Sequence, residues 1–253
     1  PNRTPTMPDD TLYMMKSFEL SNAHLADTAA DSVLNRGAEL AALESHLQAL
    51  IEHFQEMERI GGNAKDVADT RLQMARTLVG LERGDEAWTL GREAFDTFLE
   101  NEDWESAADC CDVLFQSDQD GSIGALGQGI WLAVTCPIDP ELTVEMLTHV
   151  VDETPDDADG AAVAATTALL VADTRAKGKV REDLMFFSTQ ILANVARRHS
   201  GVETQEQFDL WMDRLELREP EKFLIRLRNV VDVLVQDDWW FDRDALRARL
   251  PID

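Results

Sequence analysis

The chain has 253 residues, 44% apolar and 28% charged, enough to bury a sizeable core without disulfide or metal staples and too apolar for a disordered chain. Its 23 Lys+Arg stand against 49 Asp+Glu, a formal net charge of −26. That balance repels phosphate backbones and anionic lipid surfaces, which excludes nucleic acid as a partner and argues against membrane association.

Taken in chain order, residues 1–8 are polar, hold Pro1, Pro5 and Pro8, and read as a loose arm without a secretory leader. A short helix is expected over 9–18, with Leu12, Met15 and Phe18 on one face. A long one follows over 26–60. Its stripe of Leu40, Leu43, Leu47, Leu50, Ile51, Phe54 and Met57 keeps the helical period, and Gly61-Gly62-Asn63 stops it. Further helices are expected over 65–82, 85–101, 104–115, 122–135, 140–153, 159–176, 181–199, 204–217 and 220–235, with a short one starting near Asp242. The breaks between them are Arg83-Gly84-Asp85, Ser117-Asp118-Gln119-Asp120, Pro137-Ile138-Asp139-Pro140 and Thr154-Pro155-Asp156-Asp157. Strand-like alternation is absent. The sequence therefore predicts an all-α protein of about ten to twelve helices, in antiparallel pairs stacked as a solenoid. Three stretches are distinguished: 1–64, an N-terminal arm and helices; 65–176, an acidic repeat-like region; and 177–253, a C-terminal helical region. The three can form one continuous domain.

The run 121–138 carries no charge. It lacks basic flanks and is interrupted by Gly121, Gly124, Gly127 and Gly129, so it reads as a helix buried in protein, with glycines admitting close neighbours, rather than as a membrane span. The cysteines, Cys110, Cys111 and Cys136, are odd in number, and two are adjacent. They read as small buried residues in a reducing, cytoplasmic compartment.

Three groups of residues keep small and large positions at fixed helical spacing. They are Met74-Ala75-x-x-Leu78 with Ala87-x-x-x-Gly91-x-x-Ala94, then Trp104-x-x-Ala107-x-x-x-Cys111, then Thr143-x-x-x-Leu147-x-x-Val150 followed by Pro155. The region from 66 to 176 resembles the tetratricopeptide repeat family, whose unit is a 34-residue helix-turn-helix. Gly91 and Cys111 stand where the family has an aromatic residue, and the first two units lack the closing proline. The resemblance implies a protein-interaction scaffold or a helper of assembly rather than a catalyst.

The charge is uneven. Residues 93–174 hold 19 carboxylates and no Lys or Arg. Read functionally, this block is a docking surface for a partner protein with a basic or mixed surface; read otherwise, it is a solvated face. The candidate contacts are Glu100, Glu102, Asp103 and Glu105 at one turn and Asp152, Glu153, Asp156 and Asp157 at another, with the two groups on a common edge. Trp239, Trp240 and Phe241 form a C-terminal clasp or, alternatively, an aromatic anchor for a partner.

Motif searches yield no catalytic signature. Asp118-x-Asp120-Gly121 and Asp157-x-Asp159-Gly160 lack the first Asp and last Glu of a calcium loop, and their aspartates are expected to cap helices instead. His46 and His53 share a helix face but stand in no metal motif, and no nucleotide-binding or nucleophile-elbow pattern occurs. No cofactor or metal is expected. The reading is a non-catalytic, protein-binding helical-repeat protein, an accessory subunit or assembly factor. The alternatives are an enzyme with a site in a helical groove and a purely structural subunit.

Overall fold

The computed structural model describes residues 25–250, so the helix expected over 9–18 lies outside them. The described residues form eleven helices and no strand. These are α1 (Leu25–Ile60), α2 (Ala64–Gly80), α3 (Gly84–Glu100), α4 (Trp104–Gln116), α5 (Ser122–Thr135), α6 (Pro140–Glu153), α7 (Asp159–Arg175), α8 (Gly178–Ser200), α9 (Gln205–Arg214), α10 (Pro220–Val235) and α11 (Arg243–Arg247). Every boundary falls within one helical turn of the sequence reading, and none of the helices is long and apolar enough to cross a membrane.

From α1 to α9 each helix packs mainly on its sequence neighbours. Helix α2 also touches α4, and α6 touches α8, so the even-numbered helices share one side of the stack. The turns alternate between its two ends. At one end Lys65 pairs with Asp103 at 2.7 Å, and the backbone N–H of Asp139 donates to Glu105 at 3.1 Å. Arg175 closes the same end. Its guanidinium donates to the carbonyls of Ala133 and Val134, both at 2.6 Å, at the C-terminus of α5, where partial negative charge collects. At the other end Arg198 of α8 donates to the Val151 carbonyl of α6 at 2.6 Å.

The stack is tight because small residues stand where helices cross. Ala75, Ala87, Ala94, Ala107 and Cys111 are all fully buried, as the repeat-like spacing requires. A Cβ on Gly129 of α5 would stand 2.6 Å from Cys111 Cβ and would overlap Met146, which places α4, α5 and α6 in three-way contact there. Gly84 does not make the turn between α2 and α3. Glu82 does, at φ +60°, while Gly84 opens α3 and lets it approach the Ser117 carbonyl where a Cβ would not fit. The uncharged run is the buried helix α5. The three cysteines are buried and unpaired; burial raises all their thiol pKa values, that of Cys136 to about 11.

One element departs from sequence-neighbour packing. Helix α10 folds back across α5 and α7. Gln128, fully buried in α5, holds the segment that follows α10, donating to the Asp238 carbonyl at 2.7 Å and accepting from the Trp240 N–H at 3.4 Å. Trp240 then meets Phe95 edge-on at 5.3 Å between centroids, under the Arg92 guanidinium at 4.0 Å, and Phe241 lies 5.3 Å from Trp131. The segment is a clasp over α3 and α5. Its three aromatics are half-buried against this chain.

The expected capping by the acidic-glycine clusters is corrected. Helix α5 is preceded by Gly121 and α7 by Ala158, neither with a side-chain cap. Ser122 Oγ accepts from the Gln119 N–H instead, and Asp159 is engaged by Arg226 at 2.7 Å and by His199. The aspartates that do cap are Asp103, Asp139 and Asp242.

Candidate functional site

Helices α4 and α6 turn polar stripes outward beside each other. On α4 the stripe is Glu105, Asp109, Asp112 and Gln116; on α6 it is Glu141, Glu145, His149 and Asp152. The residues recur at helical spacing, so each set lies along one face. Their apolar neighbours, Ala108, Cys111, Val144 and Leu147 among them, are buried in the stack. Between the stripes and α2 lies a groove of about 380 Å³ whose lining includes Arg76, Asp109, Asp112, Gln116, Leu142 and Glu145.

Asp112 is the buried member. Its carboxylate meets His149 Nε2 at 3.1 Å and accepts from the Gln116 side-chain amide. The hydrogen bond to Asp112 raises the His149 pKa; Glu145 and Asp152 add to this, and partial burial opposes it. Phe115 packs on the imidazole with centroids 4.8 Å apart. Asp109 is bridged by Arg76 of α2. Among the described residues, Asp112, Glu145 and His149 are the set that could hold a metal ion, with one ligand atom each inside 4.8 Å of one another.

The acidic block does not stand uncompensated. Eight of its 19 carboxylates lie within 4 Å of a lysine or arginine, and every one of those cations comes from outside the block. Among the turn candidates, Asp103 is paired with Lys65, Glu102 with Arg249 at 3.5 Å and Asp156 with Arg198 at 3.4 Å, while Glu105 accepts from the Asp139 backbone. Glu100, Asp152, Glu153 and Asp157 have no basic partner among the described residues.

The two turn groups are not brought together. Glu100, Glu102, Asp103 and Glu105 lie at the α3–α4 end of the stack, whereas Asp152, Glu153, Asp156 and Asp157 lie at the α6–α7 end. The alternation of antiparallel helices puts these turns at opposite ends. Only Glu105 and Asp152 among them also belong to the groove stripes. The groove residues Asp109, Asp112, Glu141, Glu145 and His149 were not singled out by sequence reading, although their i, i+4 and i+7 spacing was visible there. What the sequence does not show is that α4 and α6, separated by all of α5, lie side by side. Comparison of this chain with protein-family models, with curated proteins and with solved structures finds no match.

Proposed function

We propose that this protein is a non-catalytic helical-repeat scaffold, an accessory subunit or assembly factor, that docks a basic segment of a partner protein along the groove of α2, α4 and α6. The observation that carries the reading is the paired stripe. Glu105, Glu141, Glu145 and Asp152 are exposed with no lysine or arginine within 4 Å among the described residues, and they stand on the stripes beside a groove of about 380 Å³ that Glu145 lines. The tetratricopeptide-like spacing supports the same reading, as does the placement of the clasp on the odd-numbered helices, which leaves the even-numbered side uncovered by it. Three buried, unpaired thiols fit a protein that works in a reducing compartment.

Each exposed ion pair contributes roughly 0–1 kcal/mol, so the charges chiefly supply steering and register. The test is fluorescence anisotropy with a Lys/Arg-rich helical peptide over a salt series. Two variants of equal charge change are compared: E141Q/E145Q/D152N in the groove and E100Q/E153Q/D157N at the turns. The groove variant is expected to bind about tenfold more weakly and to show a shallower salt dependence, with the turn variant close to wild type. Equal effects of the two variants would reduce the acidic block to a diffuse solvated face.

A further inference from the structure

On the odd-numbered side, where α10 crosses α5, a second cavity of about 260 Å³ opens between α5, α10 and α11. Its walls are aliphatic, with Ile130 and Val134 from α5 and Leu224, Leu227 and Val231 from α10. The charged residues that line it are Arg228 and Arg247, and no carboxylate does so. The same two arginines also border an adjoining pocket with Asp232, Asp242 and Asp244, whereas the apolar cavity itself is bordered by the two cations alone.

The two arginines are differently placed from those around them. Arg226 is paired with Asp159 and Arg243 with Asp232. Arg228 has no ion-pair or hydrogen-bond partner among the described residues. Arg247 lies over the Trp131 indole, 5.2 Å from its centroid, and its one carboxylate, Asp244, is 3.5 Å away and itself almost fully exposed. Trp131 lines the same cavity. It is 5% exposed, and its indole N–H is buried without a hydrogen-bond partner. An indole nitrogen is a donor only, and buried donors are ordinarily satisfied. The free Arg228 guanidinium, with the half-exposed Arg247 guanidinium held only by Asp244 and the Trp131 ring, at the rim of an aliphatic slot suits an acceptor that carries negative charge on an apolar body.

We propose that this cavity binds a small apolar monocarboxylic acid, its carboxylate held by Arg228 and Arg247 and its hydrocarbon body enclosed by the aliphatic walls of α5 and α10. Planar guanidinium forks match a carboxylate bidentately. The volume is just below the roughly 300–1,000 Å³ of common ligand pockets, which suits an acid of amino-acid to medium-chain size and not a nucleotide cofactor. The site lies across the molecule from the acidic groove and does not depend on the docking reading.

The test uses the full chain at about 150 mM salt, so that the overall negative charge is screened. Octanoate, 1-octanol and octylamine are titrated by calorimetry and by tryptophan fluorescence. Octanoate is expected to bind at least about tenfold more tightly than the alcohol, with the amine weakest, because the charge-assisted hydrogen bonds are lost in both. R228Q replaces an exposed residue and should fold normally; it is expected to weaken octanoate about tenfold and leave octanol unchanged. R247Q should act in the same direction. Equal affinity for acid and alcohol, or no loss in R228Q, overturns the carboxylate assignment. Absence of octanoate binding at millimolar concentration overturns the site. A leucine-ended peptide that binds through its free carboxylate, and not when amidated, while octanoate does not bind, overturns the small-acid assignment in favour of a protein C-terminus.

Discussion

Gly129→Ala tests the close packing on which the whole stack depends. The substitution adds one methyl group at the centre of α5. By helix propensity alone it should stabilise the protein, since Ala is better than Gly in a helix interior by about 1 kcal/mol. The structure argues for the opposite sign. The new Cβ would stand 2.6 Å from Cys111 Cβ of α4, against an optimum of about 3.5–4.0 Å for two carbons, and would overlap Met146 of α6. Met146 can swing its flexible end away, but a Cβ moves only with its backbone, so α4 and α5 must part. Overpacking of this kind costs about 1–3 kcal/mol. Taking the upper part of that range and subtracting the propensity gain leaves a net loss of about 1–2 kcal/mol, or about 2–8 °C in Tm for a chain of this size. Gly37→Ala is the matched control. Gly37 lies in α1 with nothing within 4 Å of its would-be Cβ, so propensity acts there alone and stability should stay level or rise. The assay is urea and thermal unfolding followed by far-ultraviolet circular dichroism. A G129A protein as stable as wild type, or shifted in the same direction as G37A, would falsify the three-way contact.

Three other outcomes follow from named contacts. His149 has its pKa raised in the fold, so its pairing with Asp112 contributes stability that is fully present below the unfolded histidine value of about 6.5 and is lost as pH rises through the folded value; H149Q should therefore destabilise the protein more at acidic pH than at pH near 8.5, where a difference that does not change with pH refutes the pair. Arg175→Met removes the guanidinium from the carbonyls of Ala133 and Val134 and should cost about 1.5–3 kcal/mol in urea unfolding; a neutral result means that the C-terminus of α5 is satisfied without it. Trp240→Ala strips the clasp from Phe95 and Arg92 and should cost about 2–3 kcal/mol, with faster hydrogen exchange in the segment after α10; an unchanged exchange rate there contradicts its role as a fastening.

The sequence by itself determined the helices. The apolar period fixed where each one lies, and Gly61-Gly62-Asn63 and Pro140 marked boundaries that the structure keeps, because periodicity, capping and proline chemistry act within a few residues. It also determined that Ala75, Ala87 and Ala94 are contact points, since only small side chains at that spacing let two helices close. Tertiary structure decided what depends on separated segments coming together. The turn carboxylates at 100–105 and 152–157 are alike in composition, but the antiparallel alternation sends them to opposite ends. Asp112 and His149 are 37 residues apart and meet only because α4 and α6 lie side by side. Gln128, one polar residue in an apolar helix, gains its meaning from Asp238 and Trp240, 110 and 112 residues away, and it is this long-range hydrogen bonding that turns the final aromatics inward as a clasp. Arg228 reads in sequence as one more surface arginine on an amphipathic helix; only the crossing of α10 over α5 sets it beside Trp131 at the mouth of an apolar cavity.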